Sequence, residues 1–263
     1  MENEHRVAVL DVETTGLNPS LGDRICEIGL VLANGDQIED TYSSLVNPQR
    51  PISAGAAAVN GLTDNMLVNA PLFAEIADAV LTRLENRILI CHNLPFDYGF
   101  LKMETSRIGI NLQIPLTVDT LAIARRYGRF PSNSLEAIAH YLGLNTANSH
   151  RALADALTTF KVWQYFQRSL DIAIEELLQT SPYEDNLQNE IQIPPLIHEA
   201  LHNQSDIEIM YIDRTGTPTR RLIRPLEVFV TVDAVYLVAY CHLRQDKRHF
   251  RLDRIVSISQ RKD

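Results

Sequence analysis

The sequence predicts an α/β unit with a mixed sheet, followed by a small all-β unit. Three observations predict it. Strand and helix periodicities alternate through the first two thirds of the chain. Beyond about residue 205 the apolar period changes to two, as in short strands. Charge changes sign at the same place: residues 206–263 hold 11 Lys+Arg and 8 Asp+Glu, a balance of +3, against −12 for residues 1–205. Such asymmetry marks two units with different jobs.

The elements follow in order. Val7-Ala8-Val9-Leu10 reads as a buried strand. Ile25–Leu32 and Gln37–Val46 bracket Asn34-Gly35, a favoured hairpin turn. Asn47-Pro48 and Arg50-Pro51 break the pattern. Ala70-Pro71 opens a helix on which Phe73, Ile76, Ala77, Val80 and Leu84 share one face. Arg87–His92 is a second buried strand, and a helix is expected over Phe96–Arg107. Thr117-Val118 leads into a helix over Asp119–Tyr127. Asn133 with Glu136 resembles a capping box for Leu135–Leu142, and Gly143 is its stop. A last long helix starts near Ser149, its cap, with His150 at its first position and a stripe of Leu153, Ala156, Leu157, Phe160 and Trp163. The acidic, proline-punctuated stretch from Thr180 to Pro195 reads as a linker. The expected domains are therefore 1–179 and 196–263, with 180–195 between them. Ile207–Tyr211, Val228–Val232, Val235–Tyr240 and Phe250–Val256 predict a small barrel or sandwich.

Composition excludes several classes. Hydrophobic residues at 45% and charged residues at 22% are those of an average soluble domain. No run approaches the roughly 18 apolar residues of a membrane helix, and the start lacks a signal peptide's order. No membrane partner is expected. Three distant cysteines without a C-x-x-C pair suit a reducing, cytoplasmic setting. The net charge of −9, taken alone, speaks against a nucleic-acid partner.

Three short elements carry chemistry. Asp11 and Glu13, two apart at a strand end, share one face. They fit either a solvated strand end or a divalent cation held between two carboxylates. Asp97, in His92-Asn93-x-x-Phe96-Asp97, lies in a first helical turn, where an acid also simply complements the helix dipole. His150 and Asp155 open the last helix. Ala152, Ala154 and Ala156 flank Asp155 and would let that helix approach the sheet closely. A lone histidine at a helix start also has a purely structural reading. Together, four carboxylates and one histidine are what two-metal phosphodiester hydrolysis needs. Two Mg²⁺-type ions take oxygen ligands, and a neutral imidazole takes the proton of the attacking water.

At these residues the chain resembles the DEDDh branch of the DEDD exonucleases, the DnaQ-like group that includes the proofreading subunit of bacterial DNA polymerase III and ribonuclease T. The matching motifs are Val9–Leu17, His92-Asn93-x-x-Phe96-Asp97 and His150-x-Ala152-x-x-Asp155, within residues 7–166. The resemblance implies a ribonuclease-H-like fold and 3′→5′ release of nucleoside monophosphates from single-stranded DNA or RNA. It implies Asp11, Glu13, Asp97 and Asp155 as ligands of two Mg²⁺ or Mn²⁺ ions and His150 as general base. Thr14, Thr15, Gly16 and Leu17 would hold the 3′-terminal nucleotide, and His92, Asn93 and Phe96 would line the strand's path. Asn60-Gly61-Leu62-Thr63 departs from the family's frequent histidine before Gly-Ile/Leu-Thr, at a position read as outside the metal site.

The second unit resembles the WYL domain. The matching residues are Ile207–Tyr211, Arg221-x-Ile223-x-Pro225-Leu226, Val235–Cys241 and Arg248–Ile255, with Val235 in place of the signature tryptophan. This implies an Sm- or SH3-like barrel binding nucleic acid or a nucleotide-like effector. Arg221, Arg224, Arg244, Arg248, Arg251 and Arg254 accompany Tyr211, Tyr236 and Phe250. They read equally as a phosphate- and base-binding surface or as a solvated basic face over core aromatics. Arg248 and Arg251 are the first choices for phosphate. The whole chain is thus expected to be a metal-dependent 3′→5′ exonuclease with a nucleic-acid-binding or effector module. A polymerase proofreading subunit and a non-catalytic regulatory binding protein are the alternatives.

Overall fold

The computed structural model describes residues 5–144, 150–170, 174–180, 193–213, 216–230 and 235–260. The chain divides into two compact units, Met1–Glu184 and Asp185–Asp263. Ser149, the expected helix cap, and residues 181–192 of the expected linker lie outside the described residues.

The first unit runs β1 (Arg6–Thr14), β2 (Ile25–Asn34), β3 (Gln37–Leu45), α1 (Ala54–Asn60), α2 (Asp64–Leu67), α3 (Phe73–Leu84), β4 (Ile88–Cys91), α4 (Leu94–Arg107), β5 (Leu116–Asp119), α5 (Thr120–Tyr127), α6 (Leu135–Tyr141), α7 (Ala152–Ser169), α8 (Ile174–Leu177) and β6 (Gln179–Thr180). The sheet order is β3-β2-β1-β4-β5-β6. Strands β1, β4 and β5 are parallel, and β2, β3 and β6 join antiparallel. The fold is α/β with a mixed sheet of ribonuclease-H-like type.

Strand alternation divides the core. Ala8, Leu10 and Val12 of β1 pack with Phe73, Ile76, Val80 and Leu84 of α3 and with Phe100 and Leu101 of α4. Val7 and Val9 pack on the opposite face with Ile123 of α5, Ile138 of α6 and Phe160, Trp163 and Phe166 of α7. Asp11 and Glu13 continue the second series, so they lie on the face covered by α7. The parallel register Val9↔Ile90 puts Asp11 level with His92, just past β4.

Two local expectations are corrected. The cap of α6 is Ser134, whose Oγ accepts from Ala137 N, because its backbone is extended one residue before the helix. Helix α7 begins at Ala152 with Arg151 as N-cap, so His150 lies outside it. His150 has φ +65°, a left-handed backbone conformation just before the helix.

The second unit contains α9 (Pro195–Asn203), β7 (Ile207–Ile212), β8 (Pro218–Val230), β9 (Val235–Cys241), β10 (Asp246–Arg251) and β11 (Ile255–Gln260). The strands form one antiparallel sheet in the order β10-β9-β8-β7-β11. Among the described residues no pairing joins β10 to β11, so the expected barrel is observed as a five-stranded sheet. β8 pairs with β7 over Pro218–Ile223 and with β9 over Ile223–Val230, with a register shift at Pro225/Glu227. Proline is tolerated at such a bulge because no ladder hydrogen bond is needed there. Ile197 and Ala200 of α9 are buried, as are Ile207, Ile209, Ile223, Leu237, Ala239 and Phe250 of the sheet.

Candidate active site

β1 delivers Asp11 and Glu13, and the first turns of α7 deliver Asp155. Carboxylate oxygens of these three residues all lie within 4.8 Å of one another. Asp97, from the first turn of α4, is 3% exposed, and its Oδ1 accepts from Val12 N at 3.1 Å. That bond ties the fourth acid to the strand between Asp11 and Glu13.

The close approach of α7 has a specific cause. Asp11 pairs across the ladder with Gly29, and Glu13 pairs with Glu27. A Cβ on Gly29 would stand 2.3 Å from the Ala152 carbonyl carbon and the Leu153 nitrogen. Only a missing side chain lets the helix backbone rest on the strand there. Beside it the Arg151 guanidinium donates from Nε (2.9 Å) and Nη2 (2.8 Å) to Glu27, whose carboxylate also accepts from Ala152 N. The expected helical alanines therefore contribute through the backbone at Ala152, over a glycine that sequence reading missed. His150 N donates to Asp155 Oδ2 at 2.9 Å, and the histidine itself is exposed at the rim.

Electrostatics show what the site needs. Burial first, then Asp97, Asp155, Glu13 and Glu27, raise Asp11 well above the ordinary carboxylate range. Burial likewise raises Asp97 well above it. Burial, then Asp155 and Glu27, push Glu13 from 4.5 to about 7. Burial also raises Asp155. Acids this close cannot all ionise without a positive partner. A hard divalent cation, which prefers oxygen donors, fits the set.

Asn60 corrects an expectation. It is buried, and its side chain hydrogen-bonds Glu13 and lowers that carboxyl's pKa. It also donates to Thr14 O at 3.3 Å and accepts from Leu62 N at 3.0 Å. The position therefore reaches the acid site as well as the loop. Its place as the last residue of α1, before Gly61, gave no sign of this in the sequence.

The other expected residues sit on the same edge. Thr14 Oγ1 donates to Gly16 O at 2.5 Å, Thr15 is buried and Leu17 is exposed. A Cβ at Gly16 would fall 2.4 Å from Asp23 Oδ2, so glycine admits the carboxylate that organises this loop. Asn93 has φ +84°, and its N donates to Asp119 Oδ1. Phe96 is partly buried, its ring 5.0 Å from Phe100. His92 Nε2 lies 3.0 Å from Asn133 O and Nδ1 lies 2.9 Å from Thr120 Oγ1. A carbonyl only accepts, so Nε2 carries the proton and Nδ1 accepts from the threonine. Burial lowers the pKa of His92, consistent with that neutral ring. Its nitrogens fasten the loop before α6 to β4 and are occupied within the chain.

In the second unit the arginines lie on β8, on β10 and in the turns that flank β10. Arg224 pairs with Asp206 at 2.8 Å and Arg251 with Asp253 at 2.8 Å. Arg221 Nε donates to Thr219 Oγ1 at 3.2 Å. Arg248 lies on β10 opposite Ala239, Arg244 in the β9–β10 turn and Arg254 after β10. Tyr211 packs edge-on against buried Phe250 at 5.1 Å, as a core aromatic does.

The model of the exonuclease family matches residues 8–163, and that of the WYL domain matches residues 193–260. The DNA polymerase III subunit epsilon of Buchnera aphidicola is 30% identical over 226 residues, 80% of this chain and 94% of that one. The PolC-type DNA polymerase III of Thermotoga maritima is 38% identical over 181 residues, 68% of this chain and only 13% of the relative's length. Exonuclease X, solved in complex with 5′ overhanging duplex DNA, superposes with a TM-score of 0.53 and 25% identity, covering 65% of this chain and 96% of that one. No helix among the described residues is long and apolar enough to cross a membrane.

Proposed function

Because the chain belongs to the exonuclease family and carries a WYL domain, we propose that it removes nucleoside 5′-monophosphates from the 3′ ends of single-stranded DNA or RNA. The observation that carries this reading is the convergence of Asp11, Glu13 and Asp155, with Asp97 bound to the intervening Val12. When bound, two Mg²⁺ or Mn²⁺ ions supply an activated water and stabilise the departing oxyanion. Asp11, Glu13, Asp97 and Asp155 hold those ions. His150, exposed beside Asp155, takes the proton of the attacking water on a ring nitrogen. Thr14–Leu17 seat the terminal nucleotide, and Asn93 and Phe96 border its path. His92 serves the path indirectly, as the post that positions the 130–134 loop. In this proposal residues 1–179 carry the chemistry. Residues 196–263 bind nucleic acid or a nucleotide-like effector through Arg221, Arg244, Arg248, Arg251 and Arg254.

The test is mononucleotide release from 5′-labelled single-stranded DNA and RNA. Asp11→Ala with Glu13→Ala abolishes metal-dependent release; persisting activity defeats the assignment. A second reading, a polymerase proofreading subunit, is favoured by the epsilon relative matched over 94% of its length. Co-purification with a replicative polymerase supports that reading, and its absence leaves a free-standing exonuclease.

A further inference from the structure

We propose that Arg50 and Arg107 form a phosphate-gripping site for the strand that leads into the acid cluster. The proposal rests on the exonuclease reading. The first unit is strongly acidic, yet five charged side chains gather beneath the loop from Thr15 to Asp23: three guanidiniums, Arg24, Arg50 and Arg107, around two carboxylates, Asp23 and Glu104.

Both carboxylates are already committed. Glu104 is 1% exposed and takes a bidentate pair from Arg24, at 2.6 and 2.8 Å, and the Ile25 N–H. Asp23 accepts from Thr15 Oγ1 at 3.2 Å and from Asn18 N at 3.0 Å, with Arg50 Nη1 3.0 Å away. Arg107 has only a 3.3 Å contact to the Glu104 oxygen that Arg24 already holds. Three cations against two acids leave one positive charge in excess. Burial lowers the pKa of Arg107; Glu104 and Asp23 act against that, and Arg24 and Arg50 add to it.

Position and chemistry name the anion. Arg50 and Arg107 present partly exposed side chains, while Arg24 is turned inward. The loop starts at Thr15, two residues beyond Glu13, and Ser53 N, three residues beyond Arg50, donates to Thr15 O at 3.0 Å. In this proposal a strand whose last nucleotide rests on Thr14–Leu17 carries preceding phosphates past Arg50 and Arg107, because Asp23, the partner of Arg50, is hydrogen-bonded to Thr15 of that same loop. Each guanidinium has five N–H donors in a fork that fits phosphate oxygens, and these two spend few of them within the chain.

The experiment uses the full chain bearing Asp155→Asn to stop cleavage. Anisotropy of fluorescent single-stranded oligonucleotides of graded length is titrated over a range of salt concentrations. Arg50→Gln and Arg107→Gln each weaken binding by about tenfold, the worth of one charge-assisted hydrogen bond. Each lowers the slope of log K against log salt by about 0.7, the value for one phosphate contact on a single strand. Arg50→Lys and Arg107→Lys retain the slope. Thermal midpoints are measured in parallel, and a Gln variant that fails to fold is replaced by the Lys variant combined with acetylation of that lysine. A lowered midpoint with an unchanged salt slope overturns the proposal, since the arginines are then a brace only. Mononucleotide release by the wild-type chain separates the two readings. Its absence removes the exonuclease assignment, whereas release with unchanged slopes removes only the arginine site.

Discussion

Replacing Glu13 with Gln tests the electrostatic account of the acid site most directly. In the folded chain burial and the Asp155 and Glu27 carboxylates raise Glu13 from 4.5 to about 7. Between these values the native state binds more protons than the unfolded state, so stability falls as pH rises through the window. A carboxyl moved from 4.5 to about 7 carries a penalty of about 3 kcal/mol, fully present well above pH 7. Gln keeps the size and an acceptor for Asn60 but removes the charge. Trp163, the single tryptophan, is buried in the first unit and reports that unit's unfolding alone. In chelator at pH 8, urea unfolding followed at Trp163 shows Glu13→Gln to be more stable than wild type by about 3 kcal/mol. The gap closes towards pH 4.5. Saturating Mg²⁺ or Mn²⁺ stabilises wild type more than the variant and narrows or reverses the gap, because the carboxylate then pairs with a cation. A metal-free variant equal to or less stable than wild type at pH 8 refutes the reasoning.

Other outcomes follow from the same contacts. Gly29→Ala forces the Ala152 backbone away and displaces Asp155, so kcat falls by about 100-fold or more while the Glu27–Arg151 pair keeps the unit folded; a steady-state assay checks this. Arg151→Ala leaves Glu27 buried without its cation and costs about 3 kcal/mol in urea unfolding. Asn60→Ala removes the hydrogen bond that lowers Glu13, so its carboxyl titrates higher still. Titration calorimetry at pH 7 then shows weaker divalent-metal binding that recovers as pH rises. His150→Ala lowers single-turnover cleavage by about 100-fold or more, the usual worth of a general base, while leaving single-strand affinity unchanged; an unaltered rate contradicts that role.

Much of this protein could be read along the chain because it depends on short-range regularities. The Asn34-Gly35 hairpin, the apolar face of α3 and the shared side of Asp11 and Glu13 follow from turn chemistry and from periods of 3.6 and two. Cap positions were less legible. Asn133 and Ser134 both suit an N-cap, and only the backbone angles choose Ser134. His150 falls outside α7 because its left-handed backbone precedes the helix, and such a conformation leaves no periodic trace.

The sequence by itself therefore determined the two-unit α/β and all-β organisation and the residue types of the acid site. Tertiary structure alone decided how those acids are held. Arg151 meets Glu27 across 124 residues, and Arg24 meets Glu104 across 80. Gly29 matters because a helix from the far end of the unit rests on it, and Asn60 because it reaches Glu13. No local pattern encodes these pairings. A carboxylate's charge state depends on its distance from other charges and from water, and only the folded chain sets those distances.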